Sequence, residues 1–169
     1  MAEGKRMRVV HPIVPVFDEN SRILILGSFP SVKSREAMFF YGHPQNRFWK
    51  VTAAVFGDEV PSTVEEKREF LLRNHIAVWD VIKECEISGS SDASIRNVKA
   101  NDLSLILDRA RILQIYANGK TAEKMYRKYT EKSVGRRCIV LPSTSPANAA
   151  WSLEKLTEAW SVISYSELK

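Results

Sequence analysis

The stretch Gly27–Trp49, GSFPSVKSREAMFFYGHPQNRFW, decides the fold that the sequence predicts. It follows Arg22–Leu26, whose apolar run predicts a strand covered on both faces, as in the middle of a parallel sheet. After a glycine turn and three consecutive aromatic residues, Pro44 predicts the first position of a helix that Gly57 ends, since that position needs no N–H. A buried strand thus delivers polar and aromatic groups to its carboxyl end, where open α/β sheets bind ligands.

Three further apolar runs, separated by helical patterns, predict the rest of the sheet. They are Ile76–Val81, Ile112–Ala117 and Cys138–Leu141. Strands that alternate with helices favour a central, mostly parallel four-stranded sheet with helices on both faces, which is a three-layer α/β/α architecture. We expect one domain over residues 1–169, in which residues 1–10 form a loose basic arm.

The composition indicates a globular intracellular protein with a polyanionic partner. The chain has a net charge of +5 and a pI near 9.3, which fits binding to nucleic acid phosphates. No apolar run approaches the ~18 residues of a membrane span and no secretory amino terminus is present, so we expect a cytoplasmic location and no membrane partner. Cys85 and Cys138 lack the spacing of a disulfide framework, a zinc site or an iron–sulfur site, and no metal is predicted.

Three of the predicted strands end in polar loops, at Gly27–Ser28, Asn118–Gly119 and Ser143–Asn148. Because the carboxyl ends of parallel strands lie at one edge of a sheet, we expect these loops to converge on one crevice. The first loop, Gly27–Ser31, lacks both the glycine spacing of a dinucleotide-binding loop and the Gly-Lys-Ser/Thr of a phosphate-binding loop. A nucleotide-cofactor enzyme is therefore a remote alternative, since this kind of sheet also hosts such enzymes.

The second half of the opening stretch has both functional and structural interpretations. The aromatic residues Phe39–Tyr41 can stack on an extruded base or fill the core. His43 can donate to a base or a phosphate, or cap the helix start. Asn46, in the first turn of the predicted helix, can orient a water molecule or polarise a leaving base, or satisfy the local backbone. Arg47 can contact a phosphate or a carboxylate.

The two later loops carry groups suited to nucleic acid. Asn118 offers a donor and an acceptor for a base edge, although Asn-Gly is equally a turn dipeptide. Lys120 can contact a phosphate from the start of the next helix. In the last loop, the hydroxyl groups of Ser143–Ser145 can bond phosphate oxygens, while Pro146 and Ala147 form a stiff apolar tip able to press into a groove.

These motifs, taken in order, resemble the uracil-DNA glycosylase superfamily, and within it the hypoxanthine-DNA (deoxyinosine) glycosylase branch. The resemblance rests on GSFPS after the first strand, FFYGHPQNRFW, WDV at Trp79–Val81, GSSD at Gly89–Asp92, NGK at Asn118–Lys120 and STSPANA at Ser143–Ala149. It runs from about His11 to Trp160, which makes it far more specific than any single motif.

The resemblance implies hydrolysis of the N-glycosidic bond of a damaged base in a three-layer α/β/α domain, with no metal or cofactor. The base would be flipped out of double-stranded DNA into the crevice, at a cost that is lowest for a weakened pair. We expect a monomer. Two positions depart from the pattern: Phe29 stands where uracil-specific members have the Asp or Asn that activates water, and Ser143 stands at or near the His that stabilises the leaving uracil.

Both departures shift the chemistry to Asn46, the predicted catalytic residue, which would orient the water that attacks C1′. The predicted base-binding residues are Gly27, Ser28, Phe29, Pro30, Phe39, Tyr41, His43 and Asn118. Of these, Tyr41 or Phe39 would stack on the base and Asn118 would hydrogen-bond its edge. The predicted DNA-binding residues are Ser31, Lys33, Lys120, Ser143, Ser145, Pro146, Ala147 and Asn148.

Two alternatives stay open. A mismatch-specific uracil-DNA glycosylase resembles this chain across the same GHPQNRFW region. The absent Asp and His also fit a protein that binds damaged DNA without catalysis.

Overall fold

The computed structural model describes residues 6–167. Within this range the strands are β1 Met7–Val10, β2 Ile23–Gly27, β3 Ile76–Asp80, β4 Ile82–Ile87, β5 Arg96–Ala100, β6 Gln114–Asn118 and β7 Ile139–Leu141. The helices are α1 Val32–Ala37, α2 Phe48–Phe56, α3 Val64–Arg73, α4 Ser104–Leu107, α5 Lys120–Tyr129, α6 Glu131–Val134, α7 Leu153–Trp160 and α8 Val162–Glu167. A short 3-10 turn covers Asp92–Ser94.

A parallel sheet in the order β3–β2–β6–β7 forms the centre of the protein. Every residue of β2 is buried, and β2 pairs in parallel with β3 on one side and β6 on the other. This register places Gly27 beside Asp80 at the carboxyl ends of β2 and β3. The predicted α/β architecture with a four-stranded parallel sheet is confirmed, with strand ends that differ from the prediction by at most two residues.

A second, antiparallel sheet in the order β1–β4–β5 is absent from the sequence prediction. Its strand β1 shows that the loose arm expected for residues 1–10 is wrong for Met7–Val10, while residues 1–5 lie outside the described range. Strand β1 pairs with β4 along its whole length, and Arg8 Nε donates to Glu84 Oε2 at 2.7 Å. The strand is short, mostly exposed and partly charged, so its order comes from a partner strand far along the chain.

Helix α2 begins at Phe48, not at Pro44 as predicted. Asn46 precedes the helix: its N–H donates to His43 O at 2.9 Å, and its Oδ1 accepts from Phe48 N–H at 2.9 Å. An asparagine oxygen that binds the backbone two residues ahead competes with helical hydrogen bonding, which explains the later start. His43 is therefore not the helix cap. Gly57 ends α2 as predicted, with a φ of 64° that suits glycine.

Helix α3 begins with a reciprocal cap that links two side chains to the backbone. Thr63 Oγ1 accepts from Glu66 N–H at 3.0 Å, and Glu66 Oε1 accepts from Thr63 N–H at 3.1 Å. Hydrogen bonds from the Thr63 N–H and from Ser62 lower the pKa of Glu66 to about 2. Because this pKa lies below that of an unfolded-chain glutamate, about 4.3, the carboxylate stabilises the fold above that pH. The stabilisation is lost as the pH falls toward 2.

We predict that Thr63→Ala lowers the free energy of unfolding by about 1 kcal/mol, because it removes the acceptor for an otherwise unpaired N–H. Urea denaturation at neutral pH measures this change. Thr63→Ser keeps the hydroxyl and should remain close to the wild-type value. Equal stability of the wild type and Thr63→Ala would contradict the prediction.

Candidate active site

A cavity of about 320 Å³ lies at the carboxyl ends of the central strands. The three polar loops predicted to converge all contribute to its wall, so this expectation is confirmed. Thirteen of the predicted site residues line it: Gly27, Ser28, Phe29, Pro30, Ser31, Tyr41, His43, Asn46, Asn118, Ser143, Ser145, Pro146 and Ala147. Ser34, Phe40, Asp80, Ser90, Asp92 and Thr144 also line it, and none of them is among the predicted catalytic, base-binding and DNA-binding residues.

A hydrogen-bonded network joins Asn46 to the two later loops through Thr144, whose side chain is fully buried. Thr144 Oγ1 donates to Asn46 Oδ1 at 2.8 Å and accepts from Asn118 Nδ2 at 3.0 Å. Asn118 Oδ1 accepts from Thr144 N–H at 3.1 Å. The interpretation of Thr144 as a phosphate contact is therefore wrong, because its hydroxyl and its N–H are both used inside the protein.

The amide of Asn46 has a fixed orientation. Its Oδ1 accepts from both Phe48 N–H and Thr144 Oγ1–H, which fills the two lone pairs of the oxygen. Its Nδ2 has no acceptor among residues 6–167, and Asn46 lines the cavity. The residue thus offers the cavity an N–H donor and no acceptor.

A buried histidine–aspartate pair lies at the end of β3. His11 Nε2 and Asp80 Oδ2 are 2.7 Å apart, and both side chains are at most 5% exposed. Ile13 N–H donates to His11 Nδ1 at 3.2 Å, so Nδ1 is the acceptor and Nε2 carries the proton given to Asp80. Neither residue is among the predicted site residues. The only signal was that Asp80 ends an apolar strand within the WDV motif.

Tyr41 reaches the same part of the cavity with a constrained side chain. Its ring stacks on Phe48 with centroids 4.1 Å apart, and its backbone has a φ of 51°. Its Oη is buried, and no hydrogen bond of good geometry reaches it within residues 6–167. Burial, reinforced by the charge of Asp80, raises the pKa of Tyr41, while a weak hydrogen bond with the Asn118 side chain acts in the opposite direction.

Phe39 is a core residue, which makes its prediction as a base-stacking residue wrong. It is 2% exposed and lies outside the cavity wall, packed against Phe40 and stacked on Trp49 at a centroid distance of 6.1 Å. Its neighbour Phe40 lines the cavity instead. Three consecutive aromatic residues cannot all point one way, and the sequence does not say which one faces the ligand.

The guanidinium group of Arg47 binds the loop after β7 and contacts no carboxylate among the described residues. It donates to the backbone oxygens of Ser145 at 3.1 Å and Asn148 at 3.0 Å, and also to that of Trp151. The backbone N–H of Arg47 donates to Thr144 O at 3.0 Å. Arg47 therefore fixes the shape of this loop, which is a structural role that differs from the predicted phosphate or carboxylate contact.

Other predicted residues have local structural partners as well. Ser31 caps α1 by accepting from Ser34 N–H at 3.1 Å, and Ser28 Oγ donates to Asp92 Oδ1 at 3.3 Å. His43 Nδ1 accepts from Gln45 N–H at 3.0 Å, which leaves Nε2 as its possible donor.

The remaining predicted residues lie outside the first cavity. Lys33 is exposed, and its Nζ lies 3.7 Å from Glu36 Oε1. Lys120 and Asn148 line a second cavity of about 580 Å³ together with the exposed Trp151.

The described residues contain no group of histidine, cysteine and carboxylate side chains that could hold a metal ion. No helix within residues 6–167 combines the length and the apolar character needed to cross a membrane.

Comparison with known proteins identifies the family. Residues 14–164 match the family described as the uracil DNA glycosylase superfamily. A protein named hypoxanthine DNA glycosylase from Methanosarcina barkeri is 36% identical over 148 residues, which cover 86% of this chain and 92% of that protein. A protein of the same name from Methanosarcina acetivorans is 35% identical over 150 residues, which cover 88% and 93%.

The fold is also similar to a solved structure. The solution NMR structure of a candidate uracil DNA glycosylase from Methanosarcina acetivorans has a TM-score of 0.80 and 32% sequence identity, and the match covers 96% of this chain and 100% of that one. The sequence match over residues 14–164, the relatives and the shared fold agree. This chain belongs to the uracil DNA glycosylase superfamily.

Proposed function

We propose that this protein is a DNA glycosylase that removes hypoxanthine from double-stranded DNA by hydrolysing the N-glycosidic bond of deoxyinosine. The observation that carries the proposal is the oriented Asn46 amide in a cavity whose first loop has Phe29 in place of a carboxylate. The relatives named hypoxanthine DNA glycosylase support the choice of base.

The size of the cavity supports a flipped base as the ligand. A volume of about 320 Å³ lies at the lower end of the range for small-molecule pockets, which suits one extruded nucleotide and excludes a stacked pair. A hypoxanthine pair is weaker than a normal pair, so its extrusion costs less. A single chain supplies all of the residues that line the cavity, so a monomer would suffice. A DNA substrate would place the enzyme in the cytoplasm beside the chromosome.

Asn46 acts on water through its Nδ2. Because Oδ1 is filled by two donors, the amide cannot accept a hydrogen bond from water. It can donate to the water oxygen, which occupies one lone pair and directs the other toward C1′. Such positioning suffices when the C1′–N9 bond breaks ahead of attack, because an oxocarbenium-like sugar needs little activation of the water. The base leaves with the bonding electron pair, water bonds to C1′, and the proton that water loses passes through solvent to the departing base.

The loop Ser143–Asn148 contacts DNA around the extruded nucleotide. Ser143 Oγ accepts from Ser145 N–H and Ser145 Oγ accepts from Ala147 N–H, both at 3.1 Å, so each hydroxyl proton remains free to donate to a phosphate oxygen. Pro146 and the exposed Ala147 form an apolar tip that fits a groove. Lys33 and Lys120 add charge at the surface, and Asn118 keeps one N–H and one lone pair for the base.

We predict that Asn46→Ala lowers single-turnover release of hypoxanthine from an inosine-containing duplex by at least about 100-fold, a loss typical of one positioned polar group. DNA affinity should stay close to that of the wild type. The measurement compares duplexes that contain inosine, uracil or xanthine.

The matched control is Asn20→Ala, which truncates an exposed asparagine and should leave the release rate unchanged. Unchanged hypoxanthine release by Asn46→Ala would exclude the proposed role. Faster release of uracil than of hypoxanthine by the wild type would favour a mismatch-specific uracil-DNA glycosylase. Tight binding of inosine duplexes with no base release would identify a binding protein.

We predict that Arg47→Met weakens duplex binding by about tenfold, because the loop after β7 loses the donors to its backbone oxygens. The slope of log affinity against log salt concentration should not change, since Arg47 contacts no phosphate in this account. Lys120→Met is the opposite control, because loss of one phosphate contact lowers the magnitude of that slope by about 0.9. A reduced slope for Arg47→Met would show that Arg47 binds phosphate directly.

A further inference from the structure

We propose that Asp80 and Tyr41 read the edge of the flipped base that deamination changes, and that His11 positions Asp80 for this task. The inference rests on the proposed function and adds the source of its selectivity. Tyr41 Oη–H would donate to O6 of hypoxanthine, and Asp80 Oδ1 would accept from N1–H.

Asp80 is held with one oxygen bound and one available. His11 Nε2–H donates to Oδ2 at 2.7 Å, and Ile13 N–H fixes the opposite side of the imidazole ring. Oδ1 has no donor among the described residues, and Asp80 lines the cavity. Oδ1 is therefore free to accept a hydrogen bond from a ligand in the cavity.

Gly27 leaves the space that this acceptor needs. A Cβ on Gly27 would overlap Asp80 Oδ1 and would stand 3.5 Å from Tyr41 Oη. Both oxygens therefore lie close to Gly27 at the end of β2, one as an acceptor and the other as a donor. The parallel pairing of Gly27 with Asp80 fixes this arrangement through the sheet itself.

Two features of Tyr41 are energetically unfavourable in the free protein. Its buried Oη makes no hydrogen bond of good geometry within residues 6–167, and its left-handed backbone is unfavourable for a side chain of this size. The stack on Phe48 prevents the ring from turning the hydroxyl toward solvent. Burial and the charge of Asp80 raise the pKa of Tyr41, so the hydroxyl keeps its proton and remains a donor.

A donor beside an acceptor matches hypoxanthine and opposes adenine. Hypoxanthine presents the O6 acceptor next to the N1–H donor, whereas adenine presents the N6 amino donor next to the N1 acceptor. With adenine, N1 would face the Asp80 carboxylate without a proton between them. Guanine has the same O6 acceptor and N1–H donor as hypoxanthine. Asp80 and Tyr41 therefore distinguish hypoxanthine from adenine, and discrimination against guanine requires contacts around C2.

The test measures the ratio of hypoxanthine release to adenine release under single-turnover conditions. Asp80→Asn keeps the size of the side chain and lets His11 donate to the amide oxygen, which turns an N–H₂ donor toward N1. We expect hypoxanthine release to fall by about 100-fold, with a smaller change or a gain for adenine. Tyr41→Phe removes only the hydroxyl and should lower hypoxanthine release by about tenfold.

His11 is tested by the same ratio, which a purely structural role would not move. His11→Leu should lower the ratio, and His11→Gln, whose amide can still donate to Oδ2, should retain most of it. If a variant is unstable, affinity for a duplex with a 2′-fluoroarabino analogue of deoxyinosine or deoxyadenosine reports the same discrimination without hydrolysis. Tyr41→Phe keeps the core contact with Phe48, so we expect this variant to fold and to allow the measurement.

The outcomes separate the two claims. Efficient hypoxanthine release by the wild type together with an unchanged hypoxanthine-to-adenine ratio in Asp80→Asn and Tyr41→Phe would overturn the edge-reading inference and leave the proposed function standing. No hypoxanthine release by the wild type would overturn both. A ratio that falls in Asp80→Asn and Tyr41→Phe supports the inference.

Discussion

The candidate site depends on one buried hydroxyl. Thr144 Oγ1 takes a hydrogen bond from Asn118 at the end of β6 and gives one to Asn46 before α2. Because this second bond fills the remaining lone pair of Asn46 Oδ1, it decides which end of the amide faces the cavity. Arg47 donates to the backbone oxygens of Ser145 and Asn148 in the same loop. It thereby fixes the position of Thr144, which orients Asn46.

The cavity divides its work between two sides. In the proposed mechanism, the Asn46 amide orients water at the sugar with its one free donor group, while the loop after β2 has Phe29 in place of a carboxylate. In the proposed base recognition, the buried carboxylate of Asp80 and Tyr41 Oη bind the edge of the base. The carboxylate of the site would then lie at the base and not at the sugar. This arrangement suits a leaving purine that is recognised by its altered edge.

The sequence predicts the central sheet and the convergence of its loops because both follow from apolar runs and from the geometry of parallel strands. It does not predict contacts between distant residues: His11 meets Asp80 across 69 positions, and Arg47 meets Ser145 across 98. It also cannot tell Phe39, which fills the core, from Tyr41, which faces the cavity, since that depends on a φ of 51° at Tyr41. The predicted helix start at Pro44 is wrong for a local reason, because Asn46 Oδ1 accepts a hydrogen bond from Phe48 N–H.

Mass spectrometric detection of the free base, after excess wild-type protein acts on a duplex with one deoxyinosine, tests the proposed hydrolysis most directly. We expect one free hypoxanthine per duplex and an intact strand that carries an alkali-labile abasic site, since water attacks C1′ and only the C1′–N9 bond breaks. Duplex binding without free hypoxanthine, or strand cleavage without prior base release, would contradict it.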